Sequence, residues 1–239
     1  MKMDKKLREY QLKVLNIFKK NARTFALAGG TALELYYLKH RFSADLDFFS
    51  APYNLKEIDN LVSALKEALG CKIKKEAEFI AANRAKVRFY SVPIKGKDRP
   101  LKIDFVEDVL FDKPKIQKID GLRIYNIMDI YLQKVVAITG TVVREDELGR
   151  QIMKGRRESR DAFDIYMLSK KIIPLHKFLN KLPQQLQRGM VHWYRTFSRQ
   201  DLRLGLLDLD IYDKNFDSKA MIIYLEKEIK QFINEVLGE

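Results

Sequence analysis

The run from Ala28 to Ser50, AGGTALELYYLKHRFSADLDFFS, constrains the fold more than any other stretch of this chain. An apolar segment, Thr24 to Ala28, ends in Gly29-Gly30; a helical pattern runs from Thr31 to Lys39; a second apolar segment, Asp45 to Phe49, carries two aspartates two positions apart. Glycine serves where a backbone turns sharply or approaches another group closely. A strand that turns at once into a helix offers helix-opening amides and the positive end of the helix dipole to an anion. Asp45 and Asp47 alternate with Leu46 and Phe48, so on a strand both carboxylates leave from one face. Aspartate is depleted in strands, and like charges so close repel unless a cation lies between them. An anion cradle beside two carboxylates is a site for Mg2+ bound to a nucleoside triphosphate. The plain alternative for the pair is a solvated strand end.

The glycine turn is neither a P-loop, since no Gly-Lys-Ser/Thr follows, nor a dinucleotide fingerprint, since Thr31, Ala32 and Leu33 stand where a third glycine is due. The Thr31 hydroxyl suits an anion or an ordinary helix cap. A third acid, Asp104, sits inside the apolar segment Leu101 to Val106, LKIDFV. Three carboxylates from two neighbouring strands hold two Mg2+ roughly 3.5–4 Å apart, the arrangement that serves in-line phosphoryl or nucleotidyl displacement. Mn2+ suits the same oxygen donors. One ion would enter with the triphosphate, and the other would acidify the attacking hydroxyl, with Asp104 as general base.

Around this stretch the periodicities predict helices over Asp4–Lys20 and from Asn54, a cap, to Leu69, with Gly70 just past the end. Strands are predicted over 72–76, 78–82, 85–92 and 101–106, with a turn at Asn83-Arg84. Beyond Asp120-Gly121 the character changes. Asn126 caps a helix carrying Lys134 and Ala137, a charged segment (140–157) shows no clear period, and Ser159 to the end reads as several helices. The expected division is therefore 1–124, a mixed sheet with helices, and 125–239, a helical part closing over the nucleotide.

The 239 residues carry a net charge of +13. Residues 150–203 hold 13 Lys or Arg against 4 Asp or Glu, and residues 1–41 hold 10 against 3. Lys154, Arg156, Arg157 and Arg160 are the densest group. Basic charge so concentrated suits an RNA or DNA backbone, against the plainer reading of a solvated lysine-rich surface. No apolar run approaches the roughly 18 residues of a membrane helix. A lone cysteine, Cys71, makes no intramolecular disulfide. Cytoplasm is the expected compartment. His40, His176 and His192 show no metal-ligand spacing. Trp193, Tyr194 and Phe197, among Arg195 and Arg199, suit a helical core or base stacking.

Gly-Gly on a strand-to-helix turn, then Asp-x-Asp, then a third strand aspartate resembles the nucleotidyltransferase superfamily related to DNA polymerase beta. More narrowly, GGTALELYYLKHRFSADLDFF resembles the AbiEii/AbiGii toxin family, including His40, Arg41 and Ser43. The second half is similar too, in Lys134-Val135-Val136-Ala137 and in Arg160-Asp161-Ala162-Phe163-Asp164-Ile165-Tyr166. The resemblance implies an α+β fold, a polymerase-beta-like domain with a mixed, mostly antiparallel sheet followed by an all-helical part. It implies metal-dependent transfer of a nucleoside monophosphate from an NTP to a hydroxyl, with the 3′ end of tRNA as acceptor. The protein would be the toxin of a toxin–antitoxin or phage-defence pair, with a cognate antitoxin. By this comparison Asp45, Asp47 and Asp104 bind metal, and Gly29, Gly30, Thr31, Arg41 and Ser43 bind nucleotide. Lys134 contacts the triphosphate and Asp161 orients Lys134 or the nucleotide; the Lys154 to Arg160 group is assigned to nucleic acid by its charge alone. For Lys134 and Asp161 the plain alternative is an interhelix salt bridge. Transfer onto a protein side chain, or an inactive nucleotide-sensing RNA-binding module, are the rival readings.

Overall fold

Helix α1 (Lys5–Asn21) begins where Asp4 accepts hydrogen bonds from the backbone N–H groups of Lys6 and Leu7 (2.9 and 3.3 Å), satisfying donors that a first helical turn leaves open. Its apolar stripe, Leu7, Val14, Leu15 and Phe18, is buried. Helix α3 (Leu55–Leu69) runs between the Asn54 cap and Gly70, whose φ of 59° is the left-handed stop expected just past a helix. The computed structural model describes residues 4–80, 85–141, 143–145, 151–153 and 155–238. The predicted turn at Asn83-Arg84 and the candidate Lys154 lie outside them.

The strands are β1 (Ala26–Ala28), β2 (Leu46–Ser50), β3 (Lys74–Phe79), β4 (Val87–Val92), β5 (Leu101–Glu107), β6 (Ile116–Ile119) and β7 (Leu122–Tyr125). They form one mixed sheet of seven, ordered β3-β4-β5-β2-β1-β7-β6. The β1–β7 and β2–β5 pairs are parallel and the other four antiparallel, so the fold is α+β with a mostly antiparallel sheet, as expected. Of the strands predicted over 72–76 and 78–82, the described residues form one, β3, with a register shift between Lys75 and Ala77, and 81–82 lie outside the described residues. The β6–β7 hairpin is not among the sequence expectations. Asp120 (φ 48°) and Gly121 (φ 83°) form its turn, and β7 then lies beside β1 in the sheet.

Alternation sorts the central strands into two faces. Leu46, Phe48, Leu101, Ile103 and Phe105 are fully buried. Phe18 of α1 stacks on Phe48 (centroids 3.7 Å apart), and Phe25 meets Phe105 edge-on at 5.2 Å. Each such side chain contributes roughly 1.5–3 kcal/mol relative to exposure. Residues of the opposite parity, Asp47, Phe49, Asp104 and Val106, are half-buried and lie on the other face. The hydrophobic effect thus fixes which face the acids occupy, because a one-residue slip would exchange Phe48 for Asp47 in the core.

The chain divides into two compact units, Lys2–Ile130 and Tyr131–Glu239. The division falls within α4 (Ile127–Thr139), and Asn126 accepts from Met128 N–H at its start. The second unit holds α5 (Ser159–Lys171), α6 (Leu175–Leu179), α7 (Gln184–Thr196), α8 (Arg199–Leu207) and α9 (Ser218–Leu237). Among the described residues it departs from an all-helical part by a short antiparallel pair, β8 (Val143–Glu145) with β9 (Gln151–Met153), inside the segment that shows no sequence period. Tyr131 stacks on Phe178 at 4.0 Å, and the buried His176 meets Glu228 of α9 through Nδ1 at 2.8 Å. Among the described residues no helix is long and apolar enough to cross a membrane.

Candidate active site

In the first unit the glycine turn, the loop before β2 and two strands converge. β1 pairs antiparallel with β2 so that Ala28 stands opposite Asp47, which brings the next residue, Gly29, over the Asp47 side chain. Gly29 has φ 66°, and a Cβ there would stand 2.4 Å from Asp47 Oδ2 and 3.2 Å from its Cγ. Only glycine meets both demands, a left-handed backbone and a carboxylate against its α-carbon. A helix begins directly at Gly29: α2 (Gly29–Ala32) runs into a π-helical turn, Leu33–Leu38, two residues earlier than the sequence pattern predicts.

β2 lies parallel to β5 with Asp47 opposite Asp104. The two aspartates therefore occupy neighbouring positions on the same sheet face, the one opposite Phe48 and Phe105. Asp45 stands one residue before β2 rather than within it, half-buried and of the same parity as Asp47. Its carbonyl accepts a short hydrogen bond from the Thr31 hydroxyl. Thr31 is fully buried, so its hydroxyl ties the glycine turn to the start of β2.

Gly30 has its own neighbours. A Cβ on it would approach Ser43 Oγ to 2.7 Å and Arg41 Nη2 to 2.8 Å, so the Arg41 guanidinium and Ser43 hydroxyl lie against the turn. His40 and Arg41 are buried, and Arg41 Nη1 donates to Phe42 O at 3.2 Å. Two residues without a distinctive sequence signal hold this loop. Glu34 is buried, pairs with Arg8 and accepts from Ser43 N–H at 2.8 Å. Gln11, fully buried on α1, donates to the carbonyls of Ser43 and Ala44 at 2.9 and 3.0 Å.

Carboxylate pairs of this kind suit hard cations that take oxygen ligands. Among the described residues no three His, Cys, Asp or Glu side chains are grouped as around a metal ion. What the sheet provides is the Asp47–Asp104 pair in register, with Asp45 two residues upstream and Gly29 leaving room at Asp47. That donor chemistry fits Mg2+ or Mn2+ entering with a triphosphate, which would bring its own oxygens to complete the coordination.

In the second unit Lys134 of α4 is buried and its Nζ lies 2.8 Å from both Asp161 Oδ1 and Asp164 Oδ2 of α5. Both aspartates are fully buried. Arg156 Nη2 reaches Asp161 Oδ2 at 3.1 Å, and the Arg156 backbone N–H donates to Ala137 O at 2.7 Å. Two cations thus face two carboxylates, which offsets the cost of burying them. Lys134 and Asp161 come together as the sequence reading expects. Asp164 joins them from one turn further along α5, and its Asp-Ile-Tyr context was its signal. Of the residues expected to take nucleic acid, Arg156 joins this cluster, Arg157 is exposed and Arg160 stands 3.9 Å from Glu158.

Residues 14–238 match the family described as nucleotidyl transferase AbiEii toxin, type IV TA system. None of the curated proteins compared matches the chain. Two solved structures share the fold: JHP933 from Helicobacter pylori, at 19% identity and TM-score 0.60, covering 100% of this chain and 96% of that one, and a second H. pylori chain classed provisionally as a nucleotidyltransferase, at 20% identity and TM-score 0.61, covering 99% and 98%.

Proposed function

The chain belongs to the AbiEii family of nucleotidyltransferase toxins of type IV toxin–antitoxin systems, and from that premise we propose that it transfers a nucleoside monophosphate from an NTP to a hydroxyl of RNA, at the 3′ end of tRNA. The acceptor oxygen forms a bond to the α-phosphorus, the bond from that phosphorus to the bridging oxygen breaks, and pyrophosphate leaves with its electron pair. The single observation that carries this reading is the register of Asp47 with Asp104, beside a glycine where a Cβ would press on the Asp47 carboxylate.

Asp45, Asp47 and Asp104 would hold divalent ions, which when bound neutralise the phosphates and acidify the attacking hydroxyl. Asp104 takes the acceptor proton. The Gly29-Gly30 backbone, with Arg41 and Ser43 beside it, binds the phosphates, because a guanidinium and backbone N–H groups match their oxygens. Thr31 acts through Asp45, holding its backbone in place. For Lys134 the family pattern supports contact with the triphosphate, and its pairing with Asp161 and Asp164 supports an ammonium held in one direction. Net charge of +13 supports a polyanionic acceptor. A protein with this activity works in the cytoplasm, where NTPs and tRNA are, and is opposed by a cognate antitoxin.

The test incubates the protein with each α-labelled NTP, Mg2+, total cellular RNA and total cellular protein. Label in RNA with release of pyrophosphate is the expected result. Label confined to protein overturns the acceptor, and no label with no pyrophosphate overturns the reaction.

A further inference from the structure

Residues 165–200 contain seven Lys or Arg and no Asp or Glu. Helix α7 lies within this acid-free run. Gln184, Arg188, His192 and Arg195 recur at spacings of four, four and three. At 3.6 residues per turn they fall within about 80° of one another. All four are exposed. The buried residues of α7, Gly189, Met190 and Trp193, lie on the opposite side, and Trp193 stacks on Phe197 at 5.3 Å. Those two rings are core, so the surface of α7 is left with cations and amides.

Among the described residues no carboxylate pairs with Arg188 or Arg195. Arg195, in the last turn, also offsets the helix dipole, but Arg188 at mid-helix does not. Lys181 is exposed just before the helix. Just after it Arg199 lies over the Tyr194 ring at 3.9 Å and donates to Phe197 O at 2.8 Å. Two guanidiniums about 10 Å apart along one helix face, with the His192 imidazole between them and Gln184 one turn before, match a row of phosphates rather than a single anion.

We infer that the exposed face of α7, carried by Arg188, His192 and Arg195, docks the phosphate backbone of the RNA acceptor. The inference rests on the RNA reading above and adds to it a binding surface outside the Lys154 to Arg160 group. Contacts of this type position RNA without reading its sequence. They act through counterion release, so each phosphate contact adds about 0.7–0.9 to the slope of log affinity against log salt.

The experiment measures binding of full-length protein to fluorescently labelled bulk tRNA by anisotropy from 50 to 300 mM NaCl. The variants are R188Q/R195Q, the charge-conserving R188K/R195K, and K219Q/K227Q, which removes the same charge from α9. R188Q/R195Q is expected to weaken binding about tenfold at 100 mM and lower the salt slope by about 1.4–1.8. R188K/R195K should restore the slope, and K219Q/K227Q should leave it as in the wild type. If wild type binds and labels RNA but R188Q/R195Q keeps the wild-type slope, this surface is wrong and the RNA reading stands. An equal loss in K219Q/K227Q also overturns it, since the effect would then be net charge alone. If the wild type neither binds nor labels RNA, both fall.

Discussion

Replacing Gly29 with alanine tests the site at its tightest point, and Gly70→Ala supplies the control. Both glycines have left-handed backbones, φ 66° and 59°, and both lie in the Lys2–Ile130 unit. Placing a Cβ in that region costs about 1–2 kcal/mol, partly offset by about 0.4–1 kcal/mol from the restricted unfolded chain. The net backbone cost, at most about 1.6 kcal/mol, should therefore lower each variant's melting temperature by up to about 6 °C. The surroundings differ. Nothing stands within 4 Å of a Cβ at Gly70, whereas one at Gly29 would lie 2.4 Å from Asp47 Oδ2, and ordinary contact begins at 3.4 Å. The Asp47 carboxylate must then retreat by about 1 Å, a displacement that costs on the order of 100-fold when it moves a catalytic group. Initial rates of labelled NTP transfer, read beside thermal melts, separate the two effects. Gly29→Ala should lose activity about 100-fold while Gly70→Ala stays within about threefold of wild type. A Gly29→Ala protein as active as Gly70→Ala would refute the reasoning, because Asp47 would then not need its observed position.

Glu34→Gln removes the charge that holds Arg8 and weakens the acceptor for Ser43 N–H. It should destabilise by about 2–3 kcal/mol, below the ~3–5 typical of a fully buried pair because Arg8 keeps some contact with water, and raise the KM for NTP as the Arg41–Ser43 loop loosens. Lys134→Met removes the ammonium shared by the buried Asp161 and Asp164, so a loss of about 3–5 kcal/mol is expected in melts. Adding Asp164→Asn should recover part of it, and purely additive losses would contradict the coupling. At Glu57, burial pushes the carboxyl up, but hydrogen bonds from the Thr24 hydroxyl and the backbone N–H groups of Thr24, Arg23 and Phe25 hold it, in net, below its usual 4.5. A depressed native pKa stabilises above the unfolded value and is lost as pH falls through the native one. The stability advantage of wild type over Glu57→Gln should accordingly be full at neutral pH and shrink below about pH 4.5; an advantage that stays constant down to pH 2 would exclude this origin.

Much of the fold could be read from local chemistry. α3 is bounded by a cap and a glycine that act within one turn, and both ends fall where Asn54 and Gly70 predict. The face occupied by Asp47 and Asp104 follows from alternation with Phe48 and Phe105, which the core enforces. Other features depend on partners remote in sequence. Asp120-Gly121 is the dipeptide that favours a two-residue hairpin turn, so β6–β7 carried a local signal, but the parallel pairing of β7 with β1 had none. Glu34 reads as one polar residue in an apolar helix, and only the arrival of Arg8 and Ser43 N–H explains its burial. Gln11 is likewise unremarkable until the carbonyls of Ser43 and Ala44 meet it. The family match over residues 14–238 supports the resemblance first carried by Ala28 to Phe49. Asp164 shows the reverse case: it lay inside the quoted motif, yet its ion pair with Lys134 depends on how α4 and α5 pack.

Mn2+ binding followed by electron paramagnetic resonance, with a non-hydrolysable NTP present, tests most directly whether the acids on β2 and β5 form a metal site. Wild type should bind Mn2+, and Asp47→Asn and Asp104→Asn should each weaken it at least tenfold while melting at or above the wild-type temperature, since a like-charge pair is relieved. Unchanged Mn2+ affinity in both variants would contradict the account, because the two carboxylates that the sheet places side by side would then hold no ion.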